Sequence, residues 1–322
     1  MTSFAQCTGS LDSSSNITKT TPSRPPTIWL GAVIYHWGES FQNRLLLSGY
    51  LPWIEAASRE HLADRCWYAR YDTRGPHLFF LFRTTRRAFA PLTKFLTRAI
   101  SSFLAREPST ISYSTSSLRY LHGFCRGRSM CEVDRHKGVG TNNTYAIFAH
   151  PPNSFPLSLV SAERRDRFGG ELDRVSRWAL SSLHRNPSSN AVQWIAGVDR
   201  ALDRLGIDKA AYWAYHFASL AAPGTVLQTP KELAATVSPA NRSLFDMLWT
   251  NRIESPDGEF DVARLLHTAA GGASGASRNF HSMREVNHCV LNQLGLPCRL
   301  EIPLVLYAWC RAAKHVGVSP DR

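Results

Sequence analysis

The sequence predicts an α+β fold: a small mixed sheet drawn mainly from the N-terminal half, with helices from the second half packed around it. Two features lead to this class. Strand-length apolar runs rich in Val, Ile, Trp, Tyr and Phe occur before residue 150, and helical periodicity dominates afterwards. A chain of 322 residues, 43% hydrophobic and 19% charged, has the composition of a water-soluble globular protein and can bury a full core. No run of about eighteen apolar residues is available to span a bilayer.

The elements follow in order. Residues 1–26 are rich in Ser, Thr and Pro and lack an apolar stretch, so they read as a disordered tail rather than a signal peptide, and residues 27–322 as one catalytic domain. That places the protein in the cytoplasm. TIWLGAVIYH, ending at residue 36, is a buried strand, and WGES turns the chain after it. Residues 41–58 carry Leu45, Leu46, Leu47, Tyr50, Leu51, Trp53 and Ile54 at roughly helical spacing, with a break or restart expected at Pro52.

CWYARY and HLFFLFR are separated by DTRGP, whose Gly75 and Pro76 supply the turn of an antiparallel pair. Both strands are apolar on both faces, which predicts a sheet covered on both sides. In 89–106, Leu92, Phe95, Leu96, Ile100, Phe103 and Leu104 form one face of an amphipathic helix. TYAIFAH at 144–150 is a further strand. Helices are predicted at 168–185, 190–205, 208–220 and 279–295, the last ended by Gly295 and Pro297.

The formal charge is +12 and the pI about 9.7, with only six lysines among 37 basic residues. Such a surface attracts polyanions. No nucleic-acid-binding signature accompanies it, and an acidic peptide satisfies the charge equally well. Seven cysteines without a CxxC pair fit neither a disulfide framework nor a zinc knuckle.

Two segments more than two hundred residues apart hold the chemistry: RYDTRGPHLFFLFR at 70–83 and NFHSMREVNHCVLNQLG at 279–295. On the second, Met283, Val286, Val290 and Leu294 make a buried stripe, and His281, Glu285, His288 and Asn292 a polar one. Two histidines and a carboxamide on that stripe suit proton transfer and carbonyl orientation. A solvated helix face is the plain reading of the same pattern, and a metal site the weaker one, because no second ExxH exists to complete a di-metal bundle. His77 and Tyr71 beside the hairpin turn serve either the site or the sheet edge. Arg167 precedes two glycines that permit close backbone approach at a helix start. GVGTNN at 138–143 and the glycine loop at 271–277 are weak phosphate motifs, and GxSxG is absent.

The order TIWLGAVIY, WYARYDTRGPHLFFLF, RFGG, HCVLNQLG resembles the thiopeptide-type bacteriocin biosynthesis family, which includes the glutamate-elimination domain of lantibiotic dehydratases, across roughly 27–315. Elimination-type members carry HLRLR after the hairpin turn, where two guanidiniums bind the carboxylates of a glutamylated Ser or Thr. Here those arginine positions are Phe79 and Leu81, and apolar groups cannot replace a fork of charge-assisted hydrogen bonds. In the family's ExxRYGG motif, Arg164 stands at the glutamate and Phe168 at the tyrosine, while Arg167 matches. His288 and Asn292 match, and Gln293 replaces an arginine.

This pattern resembles the pyridine synthase branch, which implies a formal [4+2] aza-cycloaddition between two dehydroalanines of a leader-bearing peptide, followed by loss of water and often of the leader. Such a reaction fits a site without a cofactor, because holding two ends of one peptide together is mainly an orientation problem. On this reading His288 is the general acid/base, Asn292 and Tyr71 orient amides, Ser282 and His281 are secondary donors, Arg167 polarises a carbonyl or fixes the core peptide, and His77 and Arg70 are further substrate-binding residues. Phe79 of the aromatic hairpin offers a wall for azole rings. The implied partners are the acidic leader of a ribosomal precursor and other enzymes of the pathway, with neither nucleic acid nor membrane. Two further readings remain: a stand-alone glutamate-elimination subunit, in which arginines such as Arg70 take over carboxylate binding, and a non-catalytic peptide- or RNA-binding homologue.

Overall fold

A computed structural model describes residues 27–71, 75–114, 116–117, 140–151, 154–183, 187–220, 261–271, 276–296 and 298–315. The expected tail at 1–26, most of the 271–277 loop, Gly138 and Val139, and Pro297 lie outside them. Strands β1 (Thr27–Tyr35), β2 (Arg65–Tyr71), β3 (His77–Thr85) and β4 (Thr144–His150) form one sheet in the order β2-β3-β1-β4. Every pairing is antiparallel, so the sheet is antiparallel throughout rather than mixed. The hairpin joins β2 to β3, with Tyr71 opposite His77 and Ala69 opposite Phe79.

Between β1 and β2 the chain forms α1 (Glu39–Arg44), a π-helical turn (Leu45–Tyr50) and α2 (Leu51–Arg59). Pro52 falls in the first turn of α2. It therefore does not break the helix: the wide turn before it absorbs the N–H that proline lacks and the bulk of its ring. With α3 (Arg86–Arg106), this unit covers one face of the sheet. Tyr50 packs its ring 4.4 Å from Phe80 and 5.7 Å from Tyr68, and Trp53 meets Phe103 edge-on at 6.0 Å.

The other face carries Trp29, Trp67, Phe79, Leu81 and Phe148, and Phe155 from the chain after β4 packs on Trp67 at 6.3 Å. At its far end lies the start of α4 (Arg165–Ser182). This helix begins three residues before the expected start, which places RFGG inside its first turns. A Cβ on Gly169 would sit 2.8 Å from the Trp29 ring, so glycine there is what lets helix and strand approach. Phe168 is fully buried beside it. Arg83, 2% exposed, closes this end of the sheet between Asp64 and Asp166.

Beyond α4 follow α5 (Pro187–Arg204), α6 (Lys209–Leu220), α7 (Val262–Ala270), α8 (Ala276–Gln293) and α9 (Cys298–His315). Among the described residues no helix is long and apolar enough to cross a membrane. The free edge of β2 is closed by side chains of α4 and α8 instead of a further strand. Cys66 N–H donates to Asp173 Oδ1 at 2.9 Å, Tyr68 N–H donates to Ser176 Oγ at 3.4 Å, and Gln293 Nε2 donates to the Tyr68 carbonyl. Gln293 Nε2 also reaches Ser176 Oγ at 2.9 Å, while its own carbonyl accepts from the Tyr68 hydroxyl at 3.0 Å.

Gln293→Ala should therefore destabilise the fold by about 1–3 kcal/mol, the cost of leaving a buried backbone carbonyl without a donor. Urea denaturation checks this, and a loss no larger than that of an exposed alanine substitution would refute the bracing role.

Candidate active site

Helix α8 is buried nearly all round. Met283, Val286, Val290 and Leu294 are at most 1% exposed, as their spacing predicts. Gly295, at φ +80°, ends the helix, and Leu296 N–H turns back to the Leu291 carbonyl at 3.0 Å. The polar stripe grades from exposed His281 through intermediate Asn292 to buried Glu285 and His288. It is not a solvated face.

The stripe leads into a network contributed by four helices. Asn292 Nδ2 lies 3.2 Å from His288 Nε2, and His288 Nδ1 lies 2.7 Å from Glu301 Oε2 on α9. Glu301 Oε1 meets His216 Nε2 on α6 at 3.1 Å. His216 Nδ1 meets the Asn287 amide nitrogen at 3.1 Å, and Asn287 Oδ1 accepts from Trp194 Nε1 on α5 at 2.5 Å. Glu301, His216, Asn287 and Trp194 are all at most 1% exposed.

Such burial makes charge expensive unless it is paired. Burial by itself lowers the His288 pKa, but the charge and hydrogen bond of Glu301, helped by Glu285, hold it above the usual imidazole value. For His216 burial wins, and its pKa falls despite the bond to Glu301. Burial opposes ionisation of Glu301, yet His288 and the hydrogen bonds from both imidazoles keep it far below the usual carboxylate range. Burial raises Glu285, with Arg284 opposing. The result is an ionised carboxylate with one readily protonated imidazole on one oxygen and one reluctant imidazole on the other.

The hairpin and α8 meet as the two distant segments predict. Burial raises the pKa of the Cys289 thiol, next in sequence to His288, and the neighbouring Tyr71 hydroxyl opposes that rise. His77 is fully buried, its Nδ1 donating to the Gly75 carbonyl at 2.9 Å and its ring tilted between Tyr35 and Tyr71. Arg70 lies on the opposite side of β2, where it binds the Gln293 carbonyl at the end of α8 and the side chains of Gln42 and Asn43. Ser282 is buried, with Oγ donating to the Leu159 carbonyl at 3.3 Å. His281 lies 3.9 Å from Glu285 Oε1.

Arg167 is exposed in the first turn of α4. Its neighbour Asp166 binds Arg83, six residues along β3 from His77. At about 3.3 Å per residue, that puts the backbone of Arg167 at a sheet end roughly 20 Å from the hairpin turn. The structure does not bring it to His288. The described part of GVGTNN is a structural clasp: Asn142 accepts from Trp37 N–H at 3.0 Å, and Asn143 accepts from Ser109 N–H at 2.7 Å. Among the described residues, no three His, Cys, Asp or Glu side chains converge as a metal-binding group.

No protein-family model and no curated protein matches the sequence. Solved structures do match. The pyridine synthase TbtD, from thiomuracin biosynthesis, aligns with a TM-score of 0.65 over 91% of this chain and 100% of its own, at 16% identity. The chain has a pyridine synthase-like fold. The tRNA-dependent lantibiotic dehydratase MibB from Microbispora sp. 107891 aligns with a TM-score of 0.53 at 13% identity, over 90% of this chain and 28% of its own. The architecture is therefore lantibiotic dehydratase-like as well.

Within this pyridine synthase-like fold, Phe79 and Leu81 are at most 1% exposed. The Phe79 ring stacks on Phe148 at 6.2 Å and 7°, and lies 5.6 Å from the His150 ring and 5.9 Å from Trp67. His150 is itself held neutral, its pKa lowered to about 4 by burial. The surroundings of Phe79 are aromatic, and His150 adds no charge to them. Gln293, another departure noted in the sequence, is the brace of the β2 edge.

Four members of the network escaped the sequence reading: Glu301, His216, Asn287 and Trp194. A signal was present for two. Glu301 is the sole residue that can carry a charge near neutral pH in LEIPLVLYAW, and His216 the sole such residue in an aromatic run, AYWAYHFASL. An isolated ionisable group on an apolar helix is buried with the helix, and a buried one needs a partner.

Proposed function

We propose that this chain acts on a leader-bearing, ribosomally made precursor peptide and closes a six-membered nitrogen ring from two dehydroalanines by a formal [4+2] aza-cycloaddition. The preceding amide of one dehydroalanine reacts as its imidic tautomer, a 2-azadiene CH2=C–N=C(OH), whose two terminal carbons form two C–C bonds to the second alkene. Loss of water, and of the leader as an amide, then completes the ring. No external oxidant or reductant is required.

Phe79 and Leu81 favour this reaction over glutamate elimination. A glutamyl group needs cationic donors for its carboxylate, and the strand positions that carry them in elimination-type members are here packed inside an aromatic layer. Two dehydroalanines carry no carboxylate to bind. Their reaction is mainly one of holding two ends of a peptide together, where effective molarity is large. His288, paired with Glu301 and facing Asn292 through Nε2, supports the proton movements of tautomerisation and water loss. The basic surface suits an acidic leader.

Mass spectrometry of the purified protein with two leader-bearing peptides tests the assignment, one holding two dehydroalanines among azoles and the other a glutamylated serine. Loss of water from the first, with or without leader release, is expected. Loss of glutamate from the second, with the first unchanged, would overturn it. Phe79→Arg combined with Leu81→Arg should not create elimination activity, because it buries two guanidiniums in aromatic surroundings.

A further inference from the structure

Glu301 is shared by two histidines, and a carboxylate placed symmetrically between two imidazoles would leave the cluster's proton divided between them. The surroundings break that symmetry. The Trp194 indole can only donate, so the Asn287 atom 2.5 Å away is the amide oxygen, independent of how the amide is oriented on paper. The Asn287 nitrogen then faces His216 Nδ1 at 3.1 Å as a donor. His216 Nδ1 must therefore offer a lone pair, and the ring carries its hydrogen on Nε2, where Glu301 Oε1 accepts it at 3.1 Å.

A second proton on His216 would set an N–H against the N–H of Asn287. Turning the amide to relieve that contact would set its other N–H against the indole. Both residues are fully buried, so no solvent is at hand to repair either arrangement.

We infer that Trp194 and Asn287 are positioning residues that lock His216 in its neutral Nε2–H tautomer and so confine the mobile proton of the His216–Glu301–His288 cluster to His288. Its catalytic meaning rests on the function proposed above; the lock itself is a property of the resting protein. His216 then serves Glu301 as a fixed donor, aiming the carboxylate at His288 Nδ1. Asn292 can follow the proton at the far nitrogen. It donates through Nδ2 to neutral His288 at 3.2 Å, and by an amide turn it can accept from the imidazolium.

The other charged groups act on both rings. His288 is faced by Glu285 and Arg284 of its own helix as well as Glu301, and His216 by Arg284, Glu301 and His288, with the rings of Tyr212 and Trp213 against it. Arg284 disfavours protonation of both histidines, so it cannot by itself choose between them. The amide can.

Nitrogen-15 NMR of histidine-labelled protein, titrated without substrate, reads the lock directly. His216 is expected to keep one protonated nitrogen, Nε2, with shifts constant across the imidazole range, while His288 titrates alone. In Asn287→Asp, a carboxylate faces Nδ1 and His216 should take the second proton. Its positive charge then shares Glu301, so His288 should titrate at lower pH. In Trp194→Phe the amide is free to turn and His216 should show mixed tautomers.

A wild-type His216 that titrates alongside His288, or that carries its hydrogen on Nδ1, would overturn the inference. So would Asn287→Asp leaving both rings unchanged. The wild-type titration decides even if a variant does not fold. With the two-dehydroalanine peptide, Asn287→Asp should also move the His288 limb of the rate–pH profile to lower pH with KM little changed. Failure of ring formation in wild type would count against the proposed function and leave the NMR result standing.

Discussion

His288→Ala is expected to lower turnover on a two-dehydroalanine peptide by about 10²–10⁴-fold, the range for losing one positioned acid–base group. Affinity for the leader should barely change, because in the proposed reaction His288 moves protons of the reacting amides. Such a split, in kcat rather than KM, marks a group used in the transition state. Alanine also strips Glu301 of a hydrogen-bond partner, so His288→Gln is the companion variant. Its amide N–H can still serve Glu301 but cannot carry the proton. Single-turnover mass spectrometry with a parallel peptide-binding titration separates the outcomes. Both variants should turn over slowly and still bind peptide; full turnover in either would mean that the reaction does not run through His288.

Glu301→Ala is expected to cost about 3–5 kcal/mol of stability, as when one member of a buried ion pair is removed. Two imidazoles would then face a void. Glu301→Gln keeps the volume and removes the charge, and its effect should show as a change in pH dependence. The raised pKa of His288 contributes stability that is complete below about 6.5 and lost as pH rises through the folded value. The lowered pKa of His216 acts in the opposite sense, stability being lost as pH falls below about 6.5, when the unfolded chain takes up a proton that the folded ring refuses.

The lowered pKa of Glu301 contributes stability present above about 4.3 and lost as pH falls further. From this cluster alone, stability should be greatest near pH 6.5, with slopes of at most about 1.4 kcal/mol per pH unit for each group. Glu301→Gln should flatten the alkaline side. Melting temperatures measured across the pH range check this, and an unchanged alkaline slope would mean that Glu301 does not hold the proton on His288.

The positions of the strands and of the longer helices were legible because periodicity and turn chemistry are local. Gly75 sits at φ +100° at the hairpin turn and Gly295 at φ +80° after α8, where the sequence places a turn and a helix end. The juxtaposition of the hairpin with α8 was legible through the resemblance. Three things were not. All-antiparallel pairing depends on the route taken between β3, β1 and β4, which no local pattern encodes. The π-helical turn before Pro52 is a tertiary solution to a local conflict. The partners of His288 come from α5, α6 and α9, and a polar stripe on one helix says nothing of what other helices bring to it.

The side-chain closure of β2 bears on how a peptide can be held. An extended peptide commonly docks by lending its backbone to an exposed sheet edge, which makes recognition indifferent to much of its sequence. Asp173 already occupies the outward N–H of Cys66, and Ser176 and Gln293 the outward N–H and carbonyl of Tyr68. A chain arriving beside the hairpin finds no ladder to extend there, and neither does a second copy of the protein seeking an edge to aggregate on. A peptide held beside β2 at Cys66 and Tyr68 would have to be recognised through side chains rather than by strand pairing.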